Sequence, residues 1–134
     1  MERVLVVGPI QVPSLSGVQL DHYERPLQGI SQLDADFYTT VVMSLPMDRI
    51  VSNGSPIDHA LDFIHAVQEK APGTPIIVVA RRNSLELERS IRERGVFCYL
   101  CQDLKPQNWR EILTYSFAYS TAQHPRNHFL PLAS

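Results

Sequence analysis

The sequence of 134 residues predicts a single α/β domain with an open parallel sheet of four to five strands and helices on both faces. Two observations support this prediction. Residues 75–80, "PIIVVA", form an apolar, mostly β-branched run without polar alternation, as in a strand covered on both faces. Strand and helix patterns also alternate from residue 37 onward, which favours right-handed crossovers between parallel strands.

Strands and helices can be assigned from these patterns in chain order. The predicted strands are residues 4–7, 37–43, 75–80 and 95–101. A helix is predicted from Ser55 to about Lys70, because Ser55 can cap it, Pro56 suits its first position and Asp58 supplies an acid in its first turn. Asn83 with Glu86 predicts the start of a second helix. A third is predicted from Pro106 to the region of residues 124–125.

The segment from Gln11 to Asp36 has the weakest pattern. Ser16 with Gln19 can cap a helix that runs through Tyr23, and Pro26 would interrupt it. No strand is predicted between residues 27 and 36, so the second βα unit is expected to be abbreviated or missing, and a strand between Gln11 and Asp36 stays an open question. Residues 1–122 form the predicted domain, and residues 123–134 are expected to be a linker or disordered tail.

Charge and composition limit the possible partners. The formal net charge is -2, and the basic residues are not clustered beyond Arg81 and Arg82, so direct binding of nucleic acid by this domain is not expected. The sequence lacks an apolar run long enough to cross a membrane, and we expect a cytoplasmic protein without a membrane partner. Cys98 and Cys101 lie in a predicted strand, where residues three apart point to opposite faces, so a metal or redox site is not expected there.

One long segment resembles a known family. Residues 74–113, "TPIIVVARRNSLELERSIRERGVFCYLCQDLKPQNWREIL", are similar to the C-terminal half of a response-regulator receiver domain. "VLVVGPI", from residue 4, looks like its first strand, and "VVMSLPMD", from residue 41, looks like its third strand and the loop that follows. The resemblance implies a flavodoxin-like fold and a role in two-component signalling or transcription regulation.

The same resemblance locates the phosphorylation site of the family on this sequence. The pair of acids that holds Mg²⁺ falls on Gly8 and Pro9, and the phosphoryl acceptor falls on Val42. The hydroxyl position falls on Ala80, and the lysine position falls on Gln102. None of these residues has the group that the chemistry requires, so the resemblance implies a degenerate receiver without catalytic residues, metal or cofactor.

Two neighbouring residues could restore parts of such a site under a shifted alignment. Ser44 lies two residues beyond Val42, and Lys105 lies three residues beyond Gln102. Use of Lys105 requires an insertion, whereas the ungapped alignment places Trp109 and Leu113 on apolar helix positions. The ungapped alignment is therefore preferred, and it leaves no lysine at the site.

A surface for protein contacts is the remaining functional feature that the resemblance implies. Tyr99 falls on the family's switch aromatic, in the fifth strand. The face around the last helix would bind a protein partner or a second copy of the chain, with an ordinary solvated face as the alternative. Its residues would be Leu85, Glu88, Arg92, Tyr99, Tyr115 and Tyr119.

The sequence thus predicts a regulatory domain that acts through protein contacts without aspartyl phosphorylation. The alternative is a domain that senses or converts a small molecule through the loop from Gly8 to Gly17. Ser14, Ser16 and Gly17 could offer hydroxyl and backbone N–H groups there, although the glycine patterns of nucleotide-binding loops are missing.

Overall fold

The computed structural model describes residues 2–46, 55–82, 84–101 and 104–123. These residues form five strands and four helices around one sheet. The strands are β1 (Glu2–Val7), β2 (Val18–Tyr23), β3 (Thr40–Leu45), β4 (Ile76–Ala80) and β5 (Cys98–Leu100). The helices are α1 (Pro26–Ala35), α2 (Pro56–Lys70), α3 (Leu85–Arg92) and α4 (Pro106–Gln123).

All five strands are parallel, in the order β2-β1-β3-β4-β5. The three central strands are the β-branched runs of the sequence, and β3 and β4 are buried along their whole length. Apolar side chains of α1, α2 and α3 pack on one face of the sheet, and those of α4 pack on the other. The predicted fold class, an open parallel sheet with helices on both faces, is confirmed.

The connection from β1 to β2 is the unusual part of this fold. Residues 8–17 join the two parallel strands without a helix. Instead, Ile10, Val12 and Leu15 from this connection pack beside Trp109 and Leu113 of α4. A short irregular segment therefore covers the part of the sheet that a crossover helix usually covers.

The expectations for residues 16–36 are corrected by this arrangement. The helix predicted through Tyr23 is wrong, because residues 18–23 form edge strand β2, paired with β1 along its whole length. Pro26 begins α1 rather than interrupting a helix. Proline is tolerated at the first position of a helix because the backbone N–H there has no acceptor within the helix. The second unit is thus present, and the abbreviation lies in the crossover before it.

The other helices follow the sequence more closely. In α2, Ser55 and Asp58 form the reciprocal hydrogen bonds of a capping box, as predicted. The N-cap of α3 is Ser84, whose hydroxyl accepts the N–H of Leu87 at 3.0 Å, and Asn83 lies outside the described residues. Residues 124–134 also lie outside them, so the predicted tail stays a prediction. None of the described helices is long and apolar enough to span a bilayer.

Candidate functional site at the carboxyl end of the sheet

The turn after β1 begins with a glycine that has no room for a side chain. Gly8 is buried and has a φ of +104°, a conformation that side chains rarely adopt. A Cβ atom on Gly8 would overlap the Oγ of Ser44 and would lie 3.2 Å from the Ser44 carbonyl oxygen. Ser44 therefore occupies the space that an acidic side chain at Gly8 would need.

The carbonyl groups of this turn accept hydrogen bonds from side chains. His22 Nε2 donates to the Gly8 carbonyl at 2.6 Å, and the Arg81 guanidinium donates to the Pro9 carbonyl at 3.1 Å. The described residues contain no cluster of three or more His, Cys, Asp or Glu side chains that could hold a metal ion. A guanidinium beside these carbonyls does not fit the Mg²⁺ site of a receiver domain, since protein Mg²⁺ sites are built on one or two carboxylates.

The structure separates the residues that the sequence assigned to the former phosphorylation site. Val42 lies in the middle of β3, opposite Val6 and Ile77, and is fully buried on the α4 side of the sheet. Ala80 pairs with Leu45 and faces the opposite layer. Gly8 and Pro9 lie at the end of β1, and Gln102 lies outside the described residues. The residue of β3 that adjoins Gly8 is Ser44.

Ser44 combines burial with an unused hydroxyl. The residue is 2% exposed, and its Oγ has no hydrogen-bond partner among the described residues. A buried hydroxyl without a partner costs about 1 to 3 kcal/mol of desolvation free energy. The sequence alone indicates Ser44 only under a shifted alignment, because the contact of Ser44 with Gly8 depends on how β1 and β3 are paired.

Replacing Ser44 with alanine should stabilise the domain. Ser44→Ala removes the unsatisfied hydroxyl and keeps the Cβ atom, so we expect the free energy of unfolding to rise by about 1 kcal/mol. Urea denaturation followed by circular dichroism measures this change. As a control, Ser116→Ala should destabilise the domain, because the Ser116 hydroxyl is hydrogen-bonded to Thr40 at 2.7 Å. A loss of stability in Ser44→Ala would contradict the assignment of an unpartnered hydroxyl.

An open cavity of about 350 Å³ lies at this end of the sheet, between the turn after β1 and the start of α4. Ile10, Val79, Leu104 and Trp109 form its apolar wall. Gln11, Ser44 and Arg81 are the polar residues that line it. The carboxyl end of a parallel sheet is the usual place for ligands in α/β proteins, so this cavity is the strongest candidate for a binding site.

The two cysteines lie at opposite ends of β5: Cys98 is its first residue, and Cys101 follows its last. Cys98 is partly buried against the α4 layer, and its burial raises the pKa of the thiol, which lowers its reactivity. Cys101 follows the strand and is exposed, and both cysteines are free.

In the structure, some residues of the predicted contact face make contacts within the domain, and others are exposed to solvent. Tyr99 is 5% exposed, and the Arg92 guanidinium lies 5.6 Å from the centre of its ring. Arg92 also forms an ion pair with Glu88 at 2.8 Å. Tyr119 contacts the ring of Phe97 with a centroid distance of 5.4 Å. Tyr99 is therefore part of the core in this conformation and is unavailable to a partner.

Three residues of this face are exposed to solvent. Leu85, at the start of α3, is 71% exposed, and Tyr115, in α4, is 64% exposed. Tyr119 is 43% exposed despite its contact with Phe97. These three residues are the accessible apolar part of the predicted face.

The sheet order, the parallel strands and the helices on both faces define a flavodoxin-like α/β domain. Solved receiver domains have the same fold. The chain is similar to a CheY-like response regulator receiver domain protein from Methanospirillum hungatei JF-1, with a TM-score of 0.73, 14% identity, and coverage of 92% of this chain and 98% of that chain. The signal receiver domain of an HD domain-containing protein from Pseudomonas fluorescens Pf-5 gives a TM-score of 0.76 at 15% identity, with 93% of each chain covered.

A further similar structure is a longer protein. NtrX from Brucella abortus has a TM-score of 0.73 at 12% identity, and the similarity covers 95% of this chain but 30% of NtrX. No family model and no curated protein matches the sequence. The predicted resemblance is confirmed at the level of the fold: this chain has the fold of a receiver domain.

Proposed function

We propose that this chain is a receiver-like regulatory domain that acts through protein contacts and does not depend on aspartyl phosphorylation. The observation that supports this proposal best is the contact between Gly8 and Ser44. The strand ends that would supply the Mg²⁺ ligands and the acceptor instead have a glycine that cannot carry a side chain and a buried serine. A serine hydroxyl is a far weaker phosphoryl acceptor without a base, and the described residues that line this corner include no carboxylate.

Arg81 gives a second, electrostatic reason. Its guanidinium donates to the Pro9 carbonyl, so a positive charge lies beside the turn where the family holds its divalent cation. Like charges repel, and the repulsion opposes the binding of Mg²⁺ at this turn. In this proposal, phosphorylation does not switch the domain, and its regulation depends on what it binds.

A test of the missing phosphorylation uses Mg²⁺ with beryllofluoride, which imitates a phosphorylated aspartate. We expect the NMR amide signals of Gly8, Ser44 and Arg81 to stay unchanged during the titration, because neither the metal nor the fluoride complex finds its ligands. A phosphorylatable receiver domain, titrated in parallel, shows that the reagent is active. Saturable shifts at these three residues would contradict the proposal.

We propose that the domain binds its protein partner through the edge of the sheet at β5, which is flanked by α3 and α4. Leu85, Tyr115 and Tyr119 present large apolar groups there, and tyrosine is enriched at protein interfaces. β5 is an edge strand of three residues, so this side of the sheet ends on a short strand between two helices. A second copy of the chain is the first partner to test.

Removal of the exposed tyrosines should weaken self-association. We expect Tyr115→Ala combined with Tyr119→Ala to raise the dimer dissociation constant about tenfold or more, as for aromatic residues at the centre of an interface. Sedimentation velocity over a range of concentrations measures this effect. Leu27→Ala is the matched control, because Leu27 is 55% exposed on α1. This helix packs beside β1 and β2, at the edge of the sheet opposite β5. A wild-type chain that stays monomeric, or an equal effect of Leu27→Ala, argues against this face.

A further inference from the structure

The cavity at the carboxyl end of the sheet has a feature that the receiver fold alone does not explain. Ser44 lines it, is 2% exposed and leaves its Oγ without a hydrogen-bond partner. Buried hydroxyl groups in proteins nearly always have a partner, and an exception at a cavity points to a ligand group that supplies one. Ser44 is therefore the first indication that the cavity is a binding site.

Arg81 provides the second. It lines the same cavity, and the one hydrogen bond that its guanidinium makes to the described residues goes to the neutral carbonyl of Pro9. The ion pairs among the described residues do not include Arg81. A guanidinium has five N–H donors, so Arg81 keeps donors and a positive charge for a second group. Carboxylates and other planar anions match this geometry best.

The wall of the cavity decides between a bare anion and an organic one. Ile10, Val79, Leu104 and Trp109 line it, and Trp109 is 3% exposed, so its ring is packed in place. An inorganic anion would leave this apolar surface against water. A molecule with a hydrocarbon body would cover it, and the volume of about 350 Å³ lies in the range of small-molecule sites.

We propose that this cavity binds a small organic anion, with its acid group on Arg81 and Ser44 and its apolar body against Trp109. Gln11 also lines the cavity and can donate to, or accept from, a further polar group of the ligand. Such a ligand would occupy the place where receiver domains are phosphorylated and would supply an input to the domain. This proposal does not depend on which face the domain uses for its output.

Trp109 is the only tryptophan of the chain, so its fluorescence reports directly on the cavity. The probe is cyclohexanecarboxylate, and its neutral control of similar shape is cyclohexanecarboxamide. Neither absorbs where tryptophan is excited. We expect a saturable change in fluorescence with the carboxylate, at least fivefold weaker binding of the carboxamide, and no change with inorganic phosphate.

Variants assign the two polar contacts. Arg81→Gln should weaken the binding of the carboxylate about tenfold and leave that of the carboxamide unchanged, because it removes one charged partner. Arg82→Gln is the matched control: Arg82 does not line this cavity, and a second, neighbouring cavity is lined by both arginines together with Leu45, Pro46 and Leu87. Ser44→Ala should weaken binding severalfold while the variant stays folded, as circular dichroism and the melting temperature show.

Several results would overturn the proposal. Absence of a saturable change up to about 10 mM carboxylate would do so, since weaker binding falls below the affinity of specific fragments. Equal binding of the carboxamide would exclude a role for charge, and equally tight binding of phosphate would exclude the apolar wall. An equal loss in Arg82→Gln would assign the anion to the neighbouring cavity. None of these results bears on the Mg²⁺ and beryllofluoride titration, so the two proposals can fail separately.

Discussion

Replacing Gly8 with alanine is expected to lower the free energy of unfolding of the domain by about 3 kcal/mol. Two costs add here. The φ of +104° is unfavourable for any residue with a Cβ, and the new methyl group would overlap Ser44 Oγ and lie 3.2 Å from the Ser44 carbonyl oxygen. Urea denaturation of the variant, followed by circular dichroism, measures the loss in the free energy of unfolding.

Gly17 separates these two costs. It also has a positive φ, of +78°, but a Cβ added there would meet no atom within 4 Å. Gly17→Ala should therefore report the backbone cost alone, about 1 kcal/mol. The difference between the two variants is the cost of the contact with Ser44. Equal losses would show that the space beside Gly8 is not filled.

A double variant tests whether Ser44 is the residue that fills it. In a Ser44→Ala background the Oγ is gone, while the Ser44 carbonyl oxygen still lies 3.2 Å from the position of the added Cβ. The cost of Gly8→Ala should fall by about 1 kcal/mol in this background, a coupling expected only between residues in contact. Additive losses would argue against the contact. An aspartate at Gly8 would meet the same obstacle, so restoring one acid would not restore the receiver site.

The central sheet could be predicted from the sequence because its signal is local. β1, β3 and β4 each contain a run of at least three apolar residues, and α2 begins with a capping box that is visible in the order Ser55, Pro56, Asp58. β2 could not be predicted in the same way. It contains Gln19, Asp21 and His22, and its stability comes from pairing with β1 rather than from its own composition.

The candidate site was harder to predict, because it depends on contacts between strands that lie far apart in the sequence. The family resemblance predicts the acceptor position at Val42, but the structure places that residue two positions before Ser44, the residue of β3 beside Gly8. Ser44 lies beside Gly8 because Val7 pairs with Met43, and this register is known only from the three-dimensional structure. The sequence shows Arg81 as part of a basic pair with Arg82, but it gives no indication that Arg81 contacts the Pro9 carbonyl.

The edge strand β2 also brings together a network of charged and polar groups. Tyr38 Oη donates to Asp21 Oδ2 at 2.6 Å, and Arg3 forms an ion pair with the same oxygen at 2.7 Å. The Arg3 guanidinium lies 5.0 Å from the centre of the Tyr38 ring and also pairs with Asp36 at 2.9 Å. Asp21 thus connects β2 to β1 and to the residues before β3, at the β2 edge of the sheet.

Replacing Asp21 with asparagine is expected to lower the free energy of unfolding by about 2 kcal/mol at pH 7, because hydrogen bonds to a charged acceptor are lost. The hydrogen bond from Tyr38 is the main cause of the lowered pKa of the Asp21 carboxyl, and those from Gln19 and Arg3 add to it. A carboxyl whose pKa is lowered by folding stabilises the protein above its unfolded pKa, near 3.8, and loses this contribution as the pH falls through the folded pKa.

The difference between the wild type and Asp21→Asn should therefore be constant from pH 7 to about pH 5 and shrink below about pH 4. Asp36→Asn is the matched control, because the Asp36 side chain is 40% exposed and forms a more solvated ion pair with the same arginine. We expect it to cost less than about 1 kcal/mol. A stability difference for Asp21→Asn that is unchanged from pH 7 to pH 2, or no larger than that for Asp36→Asn, would show that the Asp21 charge does not hold β2 in the sheet.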